Sequence, residues 1–309
     1  MATNERPILV GVDGSSAATA AVRYAAVEAD DLGVDLRLLH VIPTVAVGTL
    51  RRSVDSLDVI DVPRLQQRRD RMFGEAVALA TSVLPSDRVT THMVAGERVP
   101  TLLAAAEDAR LVVLGAPWHR RLDRLITGSV VSGVSARAQV PVVGVPEGWT
   151  TAREHGRVVV GVRHPEDPVS VDLVRRALEI AAIRKCRLTV LHAWEFPVVY
   201  DNMIATTDDE QAWTDIRRGE LDALVSMAGG PDPEVAIDFQ VSHGQGAHLL
   251  VMASADADLL VITRREHGFP LGHLGSAGRA VLLASHCPVE VIPPGPVAGP
   301  DVPAGSAGD

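Results

Sequence analysis

Short apolar runs rich in Val, Ile and Leu alternate along the chain with longer segments in which apolar residues recur at helical spacing. The first run, at 8–13, ends in a turn-forming Asp-Gly-Ser-Ser segment, and the Ala-rich stretch at 17–29 then predicts a helix. A second run at 35–42 predicts another strand after Gly33. The order strand, helix, strand is the unit from which parallel sheets are built.

The same alternation continues through the first half. Helical periodicity predicts helices at 65–84 and 99–109, and β-branched runs predict strands at 89–94, 111–114 and 140–145. Nearly half of the residues are apolar and few are aromatic, as in layers of Val-rich strands covered by Ala- and Leu-rich helices. We therefore predict an α/β domain.

The stretch after the fourth predicted strand has the pattern of an anion-binding loop. The apolar run stops at Gly115, a polar and basic loop follows, and Gly128 and Ser129 begin the next helical segment. Open α/β sheets bind ligands beyond the carboxyl ends of their strands, and a helix start offers unpaired N–H groups and a positive dipole end. The alternative is an ordinary capped helix after an ordinary loop.

The second half repeats the first half in order. Six segments recur at a nearly constant offset of about 150 residues, which indicates an internal duplication. We predict domains at 1–146 and 157–293, a polar linker at 147–156, and a disordered Pro/Gly/Ala-rich tail at 294–309. The matching segments are 8–12 with 157–162, 36–41 with 187–193, 94–96 with 241–244, 110–114 with 258–262, 127–129 with 274–276, and 140–145 with 287–292.

Composition narrows the classes of partner. The chain of 309 residues is long enough for two ordinary domains, and its formal net charge of −10 argues against general binding to nucleic acid or anionic membranes. Cys186 and Cys287 are too few for a disulfide scaffold or a zinc site and are expected to be buried. No apolar run of about 18 residues and no signal-peptide core occur, so we expect a cytoplasmic protein.

The histidines lack the spacing of a metal site, and we predict none. His40 and His192 fall at equivalent strand ends of the two halves, where packing or a backbone hydrogen bond is the expected role and catalysis the alternative. Neither a Walker-type phosphate loop nor a dinucleotide-binding glycine motif is present. The sequence therefore favours a function other than catalysis.

Both halves resemble the universal stress protein family. The segment Val10-Gly-Val-Asp-Gly-Ser15 is similar to the family's first strand and turn. Gly115, Gly128 and Ser129 match parts of the family's nucleotide signature, which is Gly, two residues, Gly, nine residues, then Gly followed by Ser or Thr. The resemblance implies two tandem Rossmann-like α/β domains similar to adenine-nucleotide α-hydrolases, each a five-stranded parallel sheet flanked by helices. It implies ATP binding, with or without Mg²⁺, in members that keep the signature.

The family resemblance also implies dimerisation through the last strand of the domain. In this tandem chain we predict that the two fifth strands pair with each other, because an open apolar edge strand invites aggregation. A free first half is expected to dimerise through the same strand. The complete chain is expected to form a closed two-domain unit, with a homodimer of that unit as a further option.

By this resemblance the first half keeps much but not all of the nucleotide site. Asp13 matches the acidic residue that lies beside the adenosine, and Val41 matches the residue whose backbone meets adenine. The nucleotide-binding residues implied in this way are Gly11, Val12, Asp13, Val41, Gly115, Trp118, Gly128, Ser129 and Val130.

Trp118 is the departure from the signature, since it stands where the second glycine belongs. A glycine there permits close approach of the backbone, whereas an indole either swings outward or fills the pocket. Three arginines of the same loop either contact phosphates in compensation or form a solvated basic loop. They are Arg120, Arg121 and Arg124.

The second half departs further from the signature. Arg163 replaces the acidic residue, and Thr263 and Glu266 stand at the two glycine positions, where a glutamate would repel a triphosphate. We therefore predict an asymmetric protein with a degenerate second site. The residues of that site are Gly161, Arg163, Ala193, Thr263, Glu266, Gly275 and Ser276.

Two functions are compatible with these features. The first is a stress-response sensor or regulator that binds adenine nucleotide mainly through the first domain and signals to an unknown protein partner. The second is a nucleotide-independent interaction module whose two pockets are vestigial. A slow ATPase is a third option, which would need a metal ion and a positioned water.

Overall fold

The computed structural model describes seven stretches of the chain. These stretches contain ten strands, which form one continuous sheet. The tail predicted to be disordered lies outside them beyond residue 295. The described residues are 6–43, 62–116, 130–150, 154–195, 207–230, 233–264 and 274–295.

Strands and helices alternate in each half, as the hydrophobic pattern predicts. The described elements of the first half are β1 Ile8–Gly11, α1 Ser16–Leu32, β2 Leu36–Pro43, α2 Val62–Thr81, β3 Val89–Gly96, α3 Arg98–Ala106, β4 Leu111–Ala116, α4 Val130–Ser135 and β5 Val142–Pro146. Those of the second half are β6 Arg157–Val162, α5 Pro168–Arg184, β7 Arg187–Trp194, α6 Thr207–Met227, β8 Ile237–His243, α7 Gly246–Ala253, β9 Leu259–Thr263, α8 Gly275–Ala284 and β10 Val289–Ile292.

The ten-stranded sheet has the order β3-β2-β1-β4-β5-β10-β9-β6-β7-β8. All neighbours within a half are parallel. The two halves meet where β5 and β10 pair antiparallel, with Val143 opposite Glu290. The predicted α/β fold of two five-stranded parallel sheets is confirmed, and the fifth strands pair with each other as expected.

Helices cover both faces of the sheet because the strand side chains alternate between the faces. Ile8 and Val10 point towards the face covered by α1, α2, α5 and α6, whereas Leu9 points towards the face covered by the other helices. All three side chains are fully buried. Each such burial contributes about 1.5–3 kcal/mol before the cost of ordering the chain is counted.

Helix α1 begins and ends where its capping residues predict. The Ser15 hydroxyl accepts a hydrogen bond from the Ala18 N–H at 3.1 Å, which satisfies one donor of the first turn. Gly33 follows the last helical residue with φ of 69°, and its N–H bonds back to the helix. The helix is longer than the predicted 17–29 because its Ala-rich face stays buried to Ala29 and the cap lies only at Gly33.

Several predicted boundaries are wrong by a few residues. Strand β3 continues to Gly96, which was expected to break it, since Gly96 is still in register with Pro43 of the neighbouring strand. Helix α3 ends at Ala106 rather than at 109, because a tight turn follows. Strands β4 and β5 extend to Ala116 and Pro146, which are opposite each other.

None of the described helices is both long and apolar enough to cross a membrane. Nor do the described residues include a group of three or more His, Cys, Asp or Glu side chains placed to hold a metal ion.

Candidate functional site

A cleft opens in the first half where the chain changes the direction in which it builds the sheet. From β1 the chain adds β2 and β3 on one side, then returns to add β4 and β5 on the other side. The helices after β1 and β4 therefore cover opposite faces and leave a crevice at the carboxyl ends of these two strands. Ligands of open α/β sheets bind in this position.

The cleft has a volume of about 530 Å³, including its opening to solvent. Its floor is apolar, and its polar side chains are Asp13, Ser15 and Arg98. Six of the nine residues implied by the family resemblance line it, namely Gly11, Val12, Asp13, Val41, Gly115 and Val130. The other lining residues are Ser15, Ala18, Leu39, Arg98, Leu102, Leu114 and Val131.

The remaining three predicted residues belong to the segment 117–129, which lies outside the described residues. They are Trp118, Gly128 and Ser129. The three loop arginines Arg120, Arg121 and Arg124 belong to the same segment. The two alternatives for the indole and for the arginines therefore stay predictions.

Gly115 lets helix α1 approach the end of β4. A Cβ atom added at Gly115 would lie 2.5 Å from the carbonyl carbon and 2.6 Å from the carbonyl oxygen of Ala17. Both atoms belong to the backbone of the first turn of α1, so they cannot move aside as a side chain can. Glycine at this position therefore brings the start of α1, and Asp13 before it, to the cleft.

Asp13 holds the turn that places it at the rim of the cleft. Its Oδ1 accepts a hydrogen bond from the Ser15 N–H at 3.0 Å, and Ser15 in turn caps α1. The Asp13 side chain is exposed, and its Oδ2 has no hydrogen-bond partner among the described residues. One carboxylate oxygen is thus used by the turn and the other is available to a ligand.

Arg98 is the charged lining residue that the sequence analysis did not identify. It begins α3 and is exposed at the rim, while Leu102, one turn later on the same face of the helix, is buried in the floor. Among the described residues the Arg98 guanidinium has no hydrogen-bond or ion-pair partner. The available signal was a basic residue two positions after Gly96, at the carboxyl end of a strand.

The two strand-end histidines make the same backbone contact in both halves. Nδ1 of His40 lies 2.7 Å from the carbonyl oxygen of Val12, and Nδ1 of His192 lies 3.0 Å from that of Val162. In each half the ring N–H donates to a carbonyl at the end of the first strand. That carbonyl belongs to the residue after β1 for His40 and to the last residue of β6 for His192. His40 also packs edge-on against Phe73. The predicted structural interpretation of both histidines is confirmed.

The structure places most residues of the second site in corresponding positions. Gly161 is in register with Leu191 of β7, as Gly11 is with Leu39 of β2. Arg163 is exposed on the turn after β6. Ala193 lies near the end of β7, Thr263 ends β9, and Gly275 and Ser276 begin α8. Glu266 lies outside the described residues.

The leucine over the first strand comes closer to the strand glycine in the second half than in the first half. A Cβ atom added at Gly161 would lie 2.8 Å from Leu250 Cδ2 of α7, whereas one added at Gly11 would lie 3.7 Å from Leu102 Cδ2 of α3. In the first half the nearest atom to such a Cβ belongs instead to Leu114 of β4, at 2.6 Å. Leu102 therefore leaves more space above Gly11 than Leu250 leaves above Gly161.

The residue corresponding to Arg98 is Gly246, which carries no charge. Arg98 lies two positions after Gly96, the last residue of β3. Gly246 lies two positions after Gly244, which follows β8. A Cβ atom added at Gly246 would lie in van der Waals contact with Ala193, 3.4 Å from its Cβ. The start of α7 thus lies against the strand position that Val41 occupies in the first cleft.

Comparison with known proteins supports the duplication. The model of the "Universal stress protein family" matches residues 5–146 and again residues 154–293. Universal stress proteins Rv1996 and Rv2005c of Mycobacterium tuberculosis are each 29% identical to the chain, over 92% of it and 94% and 96% of their own lengths. A universal stress protein from Archaeoglobus fulgidus has a similar solved structure, with a TM-score of 0.63 at 15% identity, covering 94% of this chain and 97% of that chain.

The likeness to this solved structure concerns the fold alone. Both halves of the present chain have a Rossmann-like fold. The two family matches together span most of the chain, each containing one five-stranded parallel sheet. We conclude that the chain belongs to the universal stress protein family and carries two copies of its domain in tandem.

Proposed function

We propose that the chain binds an adenine nucleotide in the cleft of its first domain and acts as a regulator whose state depends on that ligand. ATP, with or without Mg²⁺, is the expected nucleotide. The two domains are proposed as 1–146 and 157–293. The observation that carries the proposal is that Asp13 and Arg98 line the rim of the same apolar cleft. Asp13 offers a carboxylate oxygen to a ligand there, and Arg98 offers its guanidinium.

The chemistry of the lining residues suits the parts of a nucleotide. Buried Leu39, Leu102 and Leu114 offer an apolar floor to a flat base. A carboxylate accepts hydrogen bonds from sugar hydroxyls, which suits Asp13, and a guanidinium binds phosphate oxygens in pairs, which suits Arg98. The positive charge also offsets the repulsion that an acidic protein exerts on an anion.

The first domain is the proposed site because the second lacks the charged pair. Arg163 replaces Asp13, Gly246 replaces Arg98, and Leu250 lies closer to the sheet than Leu102 does. The space above Gly161 is therefore smaller for a ligand of the same shape, and no carboxylate is present at the position that corresponds to Asp13. We therefore propose weak or absent nucleotide binding by the second domain.

Calorimetric titration of the full chain with Mg-ATP, AMP, cyclic AMP and adenosine tests the proposal. We expect one binding site per chain, and loss of binding in Asp13→Ala. Asp13→Asn keeps the oxygen that accepts from the Ser15 N–H, so it separates the carboxylate's charge from the stability of the turn. Arg163→Ala, at the corresponding position of the second domain, serves as the matched control and should bind as the parent does.

Absence of heat with every nucleotide would refute the proposal and favour the interaction module with vestigial pockets. Binding that survives Asp13→Ala and disappears in Arg163→Ala would instead move the site to the second domain. Phosphate release measured on the same samples distinguishes a sensor from a slow ATPase, because a sensor holds its nucleotide without turnover.

A further inference from the structure

A buried ion pair joins the two halves beside the strands at which they meet. Nη2 of Arg184, at the end of α5, lies 2.6 Å from Oε2 of Glu28 in α1, and the two side chains are only 4% and 7% exposed. The same Nη2 donates to the Tyr24 hydroxyl at 2.7 Å. The guanidinium of the second half is therefore held by two groups of the first half.

A second buried ion pair lies within the second half, on the strand of that half that pairs with β5. Nε of Arg176 in α5 donates to Oε1 of Glu290 at 3.0 Å, and these side chains are 12% and 2% exposed. Glu290 is on β10, directly opposite Val143 of β5. We call Glu28, Arg176, Arg184 and Glu290 the seam charges. Two of them are positive and two negative, so the set is neutral.

The two arginines among the seam charges keep their positive charge in the folded protein. Burial by itself would lower the pKa of Arg184, but Tyr24 and Glu28 outweigh burial and raise this pKa above its ordinary value. Burial likewise opposes the charge of Arg176, and Glu290 raises its pKa in spite of that. Such pairs tolerate the loss of one partner poorly, because the other charge is then buried without compensation.

The seam charges break the symmetry of the duplication. Helices α1 and α5 both have 17 residues and both end at a cap with positive φ, so their positions correspond one to one. By that correspondence Tyr24 matches Arg176, Glu28 matches Ile180, and Leu32 matches Arg184. The strand registers likewise make Val143 the counterpart of Glu290. Each charge of one half therefore has an uncharged counterpart in the other half.

We infer that the seam charges make this interface specific for one first half and one second half, and that they disfavour pairing between two like halves. Two first halves would place Glu28 against Leu32 of the other copy and bury two carboxylates without a cation. Two second halves would place Glu290 directly opposite Glu290, and Arg184 would face Ile180. Both arrangements bury uncompensated charge.

This inference opposes the expectation that a free first half dimerises through β5. The apolar edge of β5 favours such a dimer, as the hydrophobic pattern indicates. The two buried glutamates would oppose it, because α1 lies next to the strand seam and would be buried with it. The surface therefore fits a second half that carries Arg184, and not a second copy of itself.

Charge reversal in the full chain tests the inference. Glu28→Arg and Arg184→Glu should each raise the unfolding equilibrium constant in urea by about a hundredfold or more, since each leaves like charges buried together. The double variant restores opposite charges and should be far more stable than the two single effects predict. If a reversal variant does not fold, Glu28→Gln and Arg184→Gln give the same cycle with smaller changes.

Reversal of Asp172 and Arg175, an exposed pair within α5, is the matched control and should have an effect of only a few-fold. Specificity is tested by co-expressing two differently tagged full chains, one with Glu28→Arg and one with Arg184→Glu. If the two chains exchange halves, the first half with Glu28→Arg meets the second half with Arg184→Glu, and the unchanged Glu28 meets the unchanged Arg184. Opposite charges then meet at both interfaces, so we expect more co-purification than between two parent chains. Additive single effects, or equal co-purification of matched and unmatched chains, would overturn the inference.

Discussion

Nδ1 of His192 lies 3.0 Å from the carbonyl oxygen of Val162 and donates a hydrogen bond to it from a buried position. Burial lowers the pKa of His192, and the bond to the carbonyl offsets this only in part. The folded protein therefore favours the neutral ring. This contact links the first two strands of the second half at the point where their loops begin.

The first prediction concerns acid stability. The unfolded chain takes up a proton on His192 near pH 6.5, whereas the folded chain takes it up only at lower pH, so the stabilisation is present above about 6.5 and is lost as the pH falls. The slope due to this residue is at most about 1.4 kcal/mol per pH unit. Urea unfolding between pH 5 and 8 should show a weaker dependence of stability on pH in His192→Gln than in the parent protein, and an unchanged dependence would contradict this account of His192.

The second prediction concerns the close approach of α1 to β4. Gly115→Ala should destabilise the protein by about 1–3 kcal/mol, because the new Cβ would meet the backbone of Ala17. It should also weaken any ligand binding in the cleft. Gly74→Ala is the matched control, since a Cβ there meets nothing within 4 Å and alanine favours the helix. Thermal unfolding of both variants provides the measurement, and equal melting temperatures would contradict this account of Gly115.

The third prediction concerns Arg98. If the cleft binds a nucleotide as proposed, Arg98→Ala should weaken binding of ATP about tenfold and leave adenosine unaffected, because only the phosphates interact with the guanidinium. Arg98→Lys should retain part of the affinity, since it keeps the charge and loses the paired donors. Titrations at two salt concentrations should show a smaller salt effect in Arg98→Ala. An equal loss for ATP and adenosine would assign Arg98 a role in the shape of the cleft instead.

The fourth prediction concerns the two thiols. Burial raises the pKa of Cys287 to about 12, so at pH 8 this side chain is in the unreactive thiol form. Cys186 is only partly buried. A maleimide reagent should therefore modify Cys186 in the native protein and Cys287 only after unfolding in urea. Mass spectrometry of the labelled peptides distinguishes the two, and rapid native labelling of Cys287 would mean that the segment before β10 opens.

Much of the candidate site follows from local sequence. The turn at Asp13, the cap at Ser15 and Gly115 after an apolar run are visible as residue types in a fixed order, and the structure places all three at the cleft. A basic residue after Gly96 is visible in the sequence, but the sequence does not show that Arg98 lies at the cleft. Its position there depends on how α3 crosses the sheet beside β1 and β2. Leu102 and Leu250 are the same residue type at corresponding positions, yet they lie at different distances from the strand glycines Gly11 and Gly161. The sequence could not predict this difference, because the distances depend on tertiary packing.

The amino-acid sequence by itself determined the α/β fold and the duplication, because these depend on periodic patterns that recur in both halves. The motifs shared with universal stress proteins indicated the family, and this resemblance together with the apolar edge strands predicted the pairing of the two fifth strands. Only the tertiary structure decided which side chains meet across the halves. Glu28 and Arg184 lie far apart in the chain, and nothing in their local sequence marks them as partners. Their contact exists because the pairing of β5 with β10 brings the end of α5 within side-chain reach of α1, and burial at that place gives the charges their importance.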